Sequence, residues 1–297
     1  MDGKSLMFLV NPAAGRSTSP AALGAVIEAF CNAGYHPTVF YTNRQTTLLT
    51  REHAANYGTL VCLGGDGTLS ETISGLMDVP EEERPMLGYI PMGTANDVAN
   101  TLNLPLRKPM AAARDILNGR PMSYDVGVMN WADYFTYVAA FGAFTEVSYA
   151  TDQEMKNALG KAAYLLNGLS MLPKLKSYRT RIEYDGGVIE DDLIFGAVSN
   201  STSVAGMIKL DKRVVALSDG KFELVLVRTP KSVTELTGIV NGLLNQNYNG
   251  GAMRILQTGH AKFFFEETVP WTRDGEDGGK HTYCEIHNLP HAVKLIV

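Results

Sequence analysis

Gly64-Gly65-Asp66-Gly67-Thr68 is the stretch whose residue types most directly imply chemistry. It follows an apolar run, Thr59 to Leu63, that reads as a buried strand. It precedes Leu69, Ile73, Leu76 and Met77, spaced as the inner face of a helix. Glycines at a strand-to-helix turn let the backbone take positive φ and approach a phosphate closely. The first amides of the helix, which have no partners within it, then point at the anion. Asp66 is out of place beside a bare phosphate, because two negative groups repel. It makes sense if a cation lies between them, and Mg2+ bridging phosphate oxygens is the usual one. For one such turn taken alone, a tight connection without a ligand is an equal alternative.

This turn is not alone. Gly93-Thr94-Ala95-Asn96-Asp97 brings a glycine, a hydroxyl and an Asn-Asp pair to the start of another predicted helix, and Asn11-Pro12-Ala13-Ala14-Gly15 follows the first strand. Asn96 and Asp97 can also be read as helix caps. Gly3-Lys4-Ser5 has the look of a phosphate loop's end, but it precedes a strand and lacks the upstream glycine.

The elements that must position these turns alternate. SLMFLV, HPTVFYT, TLVCL and MLGYIP read as strands, and residues around Leu23 to Phe30, Thr46 to Tyr57 and Leu69 to Met77 as helices. Such alternation implies a parallel sheet, whose strands' carboxyl ends are where ligands bind. Two short helices broken near Pro105 are predicted within 94–118. From about Pro121 strand-like runs follow one another, among them DYFTYVAAF (Asp133 to Phe141) and, as the last, HTYCEI (His281 to Ile286), interrupted by helical insertions at about 152–172 and 232–246. The expected architecture is α/β with two domains. An N-terminal parallel-sheet α/β domain spans 1–124 and a C-terminal β-rich, sandwich-like domain 125–287, the tail 288–297 returning to the first. A cleft is expected between them.

With 297 residues, 45% hydrophobic and 19% charged, the chain can bury two cores of ordinary size. A net charge of -5 argues against a nucleic-acid partner. Cys31, Cys62 and Cys284 lie far apart without metal-ligand spacing, two of them inside apolar runs, which reads as buried free thiols in a reducing cytoplasm. No apolar run reaches the roughly 18 residues a membrane span requires, so any membrane contact is expected to be peripheral and transient.

The ordered set Asn11-Pro12-Ala13-Ala14-Gly15, GGDGTLSE (Gly64 to Glu71), GTANDVA (Gly93 to Ala99), Asp125-Val126-Gly127, Asp219-Gly220 and Asp274-Gly275-Glu276 resembles the diacylglycerol kinase catalytic-domain family, notably its small soluble bacterial lipid kinases. Sphingosine, ceramide and NAD kinases are relatives. The resemblance implies an NAD kinase- and phosphofructokinase-like fold and transfer of the γ-phosphoryl of ATP to a lipid hydroxyl, with diacylglycerol the first expectation. It implies contacts to ATP from Asn11, Pro12, Ala13, Ala14, Gly15, Thr42, Gly64, Gly65, Asp66, Gly67, Thr68, Leu69, Ser70, Glu71, Thr94, Asn96 and Asp97. It also implies Asp66 and Asp125 near a catalytic Mg2+, and a structural Mg2+ held by Asp219 with the carbonyls of Ala216 and Lys221. Here Ala216 departs from the acidic ligand some members carry.

Glu276 is then the expected proton acceptor, with Asp274 beside it. The stretch Trp271 to Gly279 reads as loop-like, although Asp-Gly-Glu-Asp-Gly-Gly is equally good hairpin chemistry. Residues 154–181 mix Leu159, Tyr164, Leu165, Leu166 and Leu169 with Lys156, Lys161, Lys174, Lys176, Arg179 and Arg181. They are the candidate membrane-docking surface, with a core-packed helix as the plainer reading. A kinase of a soluble acceptor such as NAD and a non-catalytic nucleotide-binding regulator are the rival readings. The sequence leaves a homodimer open.

Overall fold

The structure is a computed structural model, described here for residues 4–14, 19–143, 176–204, 208–211, 215–248 and 251–297. Gly15, the predicted helix at about 152–172 and the basic residues up to Lys174 lie outside the described residues.

The chain begins β1 (Ser5–Val10), α1 (Pro20–Asn32), β2 (His36–Tyr41), α2 (Thr46–His53), β3 (Thr59–Gly64), α3 (Asp66–Met77), β4 (Met86–Pro91), α4 (Asp97–Leu102) and α5 (Pro109–Asn118). These strands lie parallel in the order β4-β3-β1-β2. β1 and β3 are almost wholly buried because helices cover both faces, which is why they read as unbroken apolar runs. Local chemistry sets the helix ends. The Ser19 hydroxyl accepts from the Ala22 amide at 3.1 Å to start α1, Pro20 opens its first turn, and Gly34 at φ +84° follows its last turn.

The second section is antiparallel: β5 (Pro121–Met129), β6 (Asp133–Phe135), β7 (Val138–Gly142), β8 (Tyr178–Tyr184), β9 (Gly187–Ser199), β10 (Ser203–Val204), β11 (Ile208–Lys209), β12 (Phe222–Arg228), α6 (Val233–Asn245), β13 (Met253–Thr258), β14 (His260–Arg273) and β15 (Glu276–Ile296). Among the described residues the two sections share one sheet. β15 pairs antiparallel with β5 along most of its end and parallel with β4 where Leu295 meets Leu87. The last residues thus return to the parallel section. One core cluster also crosses between the sections, joining Leu69, Ile73 and Leu76 of α3 to Val126, Tyr137 and Ala140.

Two local details differ from expectation. Trp271 to Gly279 is strand on both sides of a two-residue turn, Asp274 at φ +50° and Gly275 at φ +84°, the pairing Arg273↔Glu276 closing the hairpin. The strand read from Asp133 to Phe141 is two, β6 and β7, because the amides of Thr136 and Tyr137 bond to a side chain instead of a neighbouring strand. Gly127 lies opposite Phe135, and a Cβ there would sit 2.1 Å from the ring's Cζ, so the glycine serves packing.

Candidate active site

The parallel order sets the turns after β1, β3 and β4 side by side at the strands' carboxyl ends. Asn11 ties the first to the second: its amide nitrogen Nδ2 donates to Thr68 Oγ1 at 2.8 Å, and its Oδ1 accepts from the Ala13 amide at 2.9 Å. The second and third touch through bare backbone, since a Cβ on Gly93 would lie 2.6 Å from the Gly65 Cα. Only glycine permits that approach. Gly64 is confined too, its imagined Cβ falling 2.5 Å from the Thr68 Cβ. Thr42, buried at the end of β2, donates its amide to the Val10 carbonyl at 3.0 Å beside the first turn. Pro12, Ala13, Gly67, Glu71 and Thr94 are exposed around this surface, and Leu69 points into the core. The Ncap of α3 is Gly65, which offers no side-chain acceptor to the first amides of that helix.

Asn96 does not cap α4 with its side chain. It adopts the left-handed region at φ +53°, and its Nδ2 donates to the Gly93 carbonyl at 2.9 Å, which braces the turn. Asp66 faces the start of α4 instead. Burial pushes its carboxyl up, the amides of Asp97, Val98 and Asn96 pull it down, and the charge of Asp274 adds to the rise. One Asp66 oxygen, Oδ1, is buried and makes no hydrogen bond to protein. Asp97 is pushed up to about 6, by burial first and then by the Asp66 charge, with the Ser203 hydroxyl opposing. Two crowded carboxyl groups and an orphaned buried oxygen are what a divalent cation with oxygen preference would satisfy.

Across from these turns a cleft of about 370 Å³ opens between α3 and the β14–β15 hairpin. It is lined by Gly67, Ser70 and Glu71 on one side and by Tyr134, Asp274 and Glu276 on the other. Asp274 builds that juxtaposition. Its Oδ2 accepts from Ser70 Oγ at 2.6 Å and from the Thr136 amide at 2.6 Å, and its Oδ1 accepts from the amides of Tyr137 and Val138 at 2.9 and 3.0 Å. Burial pushes its carboxyl up, and those four donors oppose the rise. The side chain is only 6% exposed, and these bonds tie the hairpin to α3 and to the segment between β6 and β7. Glu276, two residues on, is exposed to the cleft. Asp274→Ala should destabilise the protein by about 3 kcal/mol or more, because three buried amides lose their acceptor. Chemical denaturation measures it, and a change within about 0.5 kcal/mol, the range of ordinary surface substitutions, would contradict this role.

Asp125 is held by partners of its own. Its Oδ2 accepts from the Gly220 amide at 2.7 Å and its Oδ1 from the His291 amide at 2.8 Å, while its own amide donates to the Leu217 carbonyl at 2.9 Å. It fastens the Asp219-Gly220 turn to β15. Asp219 Oδ1 accepts from the Lys221 amide at 3.0 Å, and Ala216, Asp219 and Lys221 are exposed. The structure groups Asp125 with these three and Asp66 with Asp97. The described basic residues of the candidate docking segment pair with acids: Lys176 with Glu267 at 2.8 Å, Arg179 with Asp192 at 3.8 Å and Arg181 with Glu183 at 2.7 Å.

Two contributions escape the sequence. Ser203 reaches Asp97 from β10, and the Arg107 guanidinium donates to the Thr94 carbonyl at 3.1 Å, bringing a cation to the third turn. Arg107 carried a readable signal, being the first basic residue after that turn. Ser203 carried none.

The chain is similar to known proteins over most of its length. Residues 5–129 match the model of the diacylglycerol kinase catalytic domain. The diacylglycerol kinase of Bacillus subtilis (strain 168) is 31% identical over 282 residues, 93% of this chain and 91% of that one. That of Staphylococcus saprophyticus subsp. saprophyticus is 37% identical over 227 residues, 75% and 73% of the two chains. The crystal structure of a diacylglycerol kinase from Bacillus anthracis str. Sterne superposes with a TM-score of 0.76 at 23% identity, covering 99% of this chain and 96% of the other, a likeness of fold.

Proposed function

The chain belongs to the diacylglycerol kinase family, and on that premise we propose that it transfers the γ-phosphoryl of ATP to the free hydroxyl of diacylglycerol, giving phosphatidic acid and ADP. The observation that carries this reading is the cleft that sets Gly67, Ser70 and Glu71 opposite Glu276. Phosphoryl transfer asks a protein to position the phosphates, neutralise their charge and accept one proton.

The turns at Asn11, Gly64–Thr68 and Gly93–Thr94 hold the triphosphate through backbone amides, with Thr42 and Ser70 to Glu71 along the same edge. Asp66, with Asp97 beside it, would hold Mg2+, which when bound offsets charge on the phosphate oxygens. Glu276 takes the proton from the lipid hydroxyl as its oxygen bonds to the γ-phosphorus and the bond to ADP breaks. Asp274 holds Glu276's hairpin against α3. Residues 1–124 form the nucleotide-binding domain and 125–287 the lipid-side domain in this reading, and Asp219 with the carbonyls of Ala216 and Lys221 would hold a second Mg2+ on a turn that Asp125 secures.

Among the described residues no helix is long and apolar enough to cross a membrane, which is compatible with lipid taken from a bilayer surface by peripheral contact. The test offers ATP and Mg2+ with diacylglycerol, phosphatidylglycerol, ceramide or NAD and identifies products by mass. Phosphatidic acid is expected, and phosphorylated NAD alone would overturn the lipid assignment.

A further inference from the structure

His260, Glu285 and His287 lie together on one face of the β14–β15 ribbon, apart from the residues of the cleft. The register sets His260 directly opposite His287 and Lys262 opposite Glu285. Side chains alternate along a strand, so these four share a face, and opposed pairs bring their Cβ atoms to about 5 Å. Both imidazoles converge on one carboxylate oxygen: Nε2 of His260 lies 3.1 Å and Nε2 of His287 2.9 Å from Glu285 Oε1. The three potential ligand atoms all fall within 4.8 Å of one another.

The surroundings hold this arrangement in place. The Tyr283 hydroxyl donates to Glu285 Oε2 at 2.8 Å, and the Glu285 amide donates to Asn130 Oδ1 at 2.9 Å. The rings of His260 and His287 stack at 4.3 Å, and Trp131, 64% exposed, lies against His287 at 4.1 Å. Burial alone would raise the Glu285 carboxyl, but bonds from Tyr283, His260 and His287 and the charge of Lys262 bring it down to about 2.

Two imidazoles and one carboxylate are the donor set of borderline transition metals, and three protein ligands with water in the fourth position make a tetrahedral site. Mg2+ prefers oxygen ligands in an octahedron and has no claim on this set. We propose that His260, His287 and Glu285 bind one divalent cation of the zinc class, joining β14 to β15 on the outer face of the ribbon. The Lys262 ammonium, 3.5 Å from Glu285 Oε1, is the one opposing charge in contact with the cluster among the described residues. Its side chain is a third exposed and can turn to solvent as the metal enters. Removing it should strengthen binding.

The full-length chain, free of nucleotide, is titrated with ZnCl2 by calorimetry, and with CoCl2 to read the visible absorption of a tetrahedral site. One zinc per chain is expected. Affinity should fall by more than the roughly tenfold typical of changes around a site's ligands in His260→Ala, His287→Ala and Glu285→Gln. It should persist in Asp66→Asn and rise in Lys262→Ala, and circular dichroism checks that each variant is folded. No zinc binding by the wild type, or binding unchanged in a folded His260→Ala/His287→Ala double variant, would overturn the proposal.

Discussion

Glu276→Gln is expected to lower kcat by about 10²- to 10⁴-fold, the contribution general-base catalysis makes, while Kd for ATP stays near the wild-type value. The amide keeps the shape of the side chain and its place on the hairpin but cannot take a proton from the lipid hydroxyl. The expected split follows from position, since Glu276 lines the cleft on the side opposite the glycine turns. Its backbone is fixed by Asp274, so the substitution should leave stability within about 0.5 kcal/mol of wild type, as exposed changes usually do. Steady-state kinetics with ATP-binding titration checks this. Near-normal kcat in a folded variant would take Glu276 out of the reaction.

Asp66→Asn is expected to cost about 10²- to 10³-fold in kcat, the scale of losing one charge-stabilising group in an active site, and to abolish stabilisation by Mg2+ with ATP. This prediction has a pH signature through Asp97. Its carboxyl is ordinary at 3.8 and about 6 when folded. The folded chain then holds a proton there more tightly than the unfolded chain, so this group's contribution to stability is present at low pH and lost as pH rises through about 6. A bound divalent cation reverses the preference by favouring both carboxylates. The rise in Tm on adding Mg2+ and ATP should be small near pH 5 and larger near pH 8 in wild type, and small at both in Asp66→Asn. An equal rise in the two proteins would remove Asp66 from the metal.

Much of this site was legible because its parts are local. A βα turn of glycines is contiguous in sequence, and the apolar periods on either side of Gly64–Thr68 specify strand and helix without tertiary help. Asp274 was harder. Its type and neighbours describe an exposed acidic turn, but its partners are Ser70, 204 residues away, and the amides of Thr136 to Val138. No local pattern signals a carboxylate buried by such distant donors. β15 was underestimated for a related reason. Only HTYCEI alternates cleanly, whereas the strand runs on from Glu276 to Ile296 through Pro290 and a left-handed His291, absorbing both in a register shift between Leu289 and Val293. The His260–His287 pair is likewise a product of register, which the spacing of the two residues does not reveal.

The most direct test follows label from γ-³²P-ATP into diacylglycerol vesicles with the wild type, Asp66→Asn and Glu276→Gln in parallel. Labelled phosphatidic acid from the wild type, with little or none from either folded variant, is the predicted result. Label in the lipid at wild-type rates from both variants, or ATP turned over by the wild type with none of its label reaching the lipid, would contradict it.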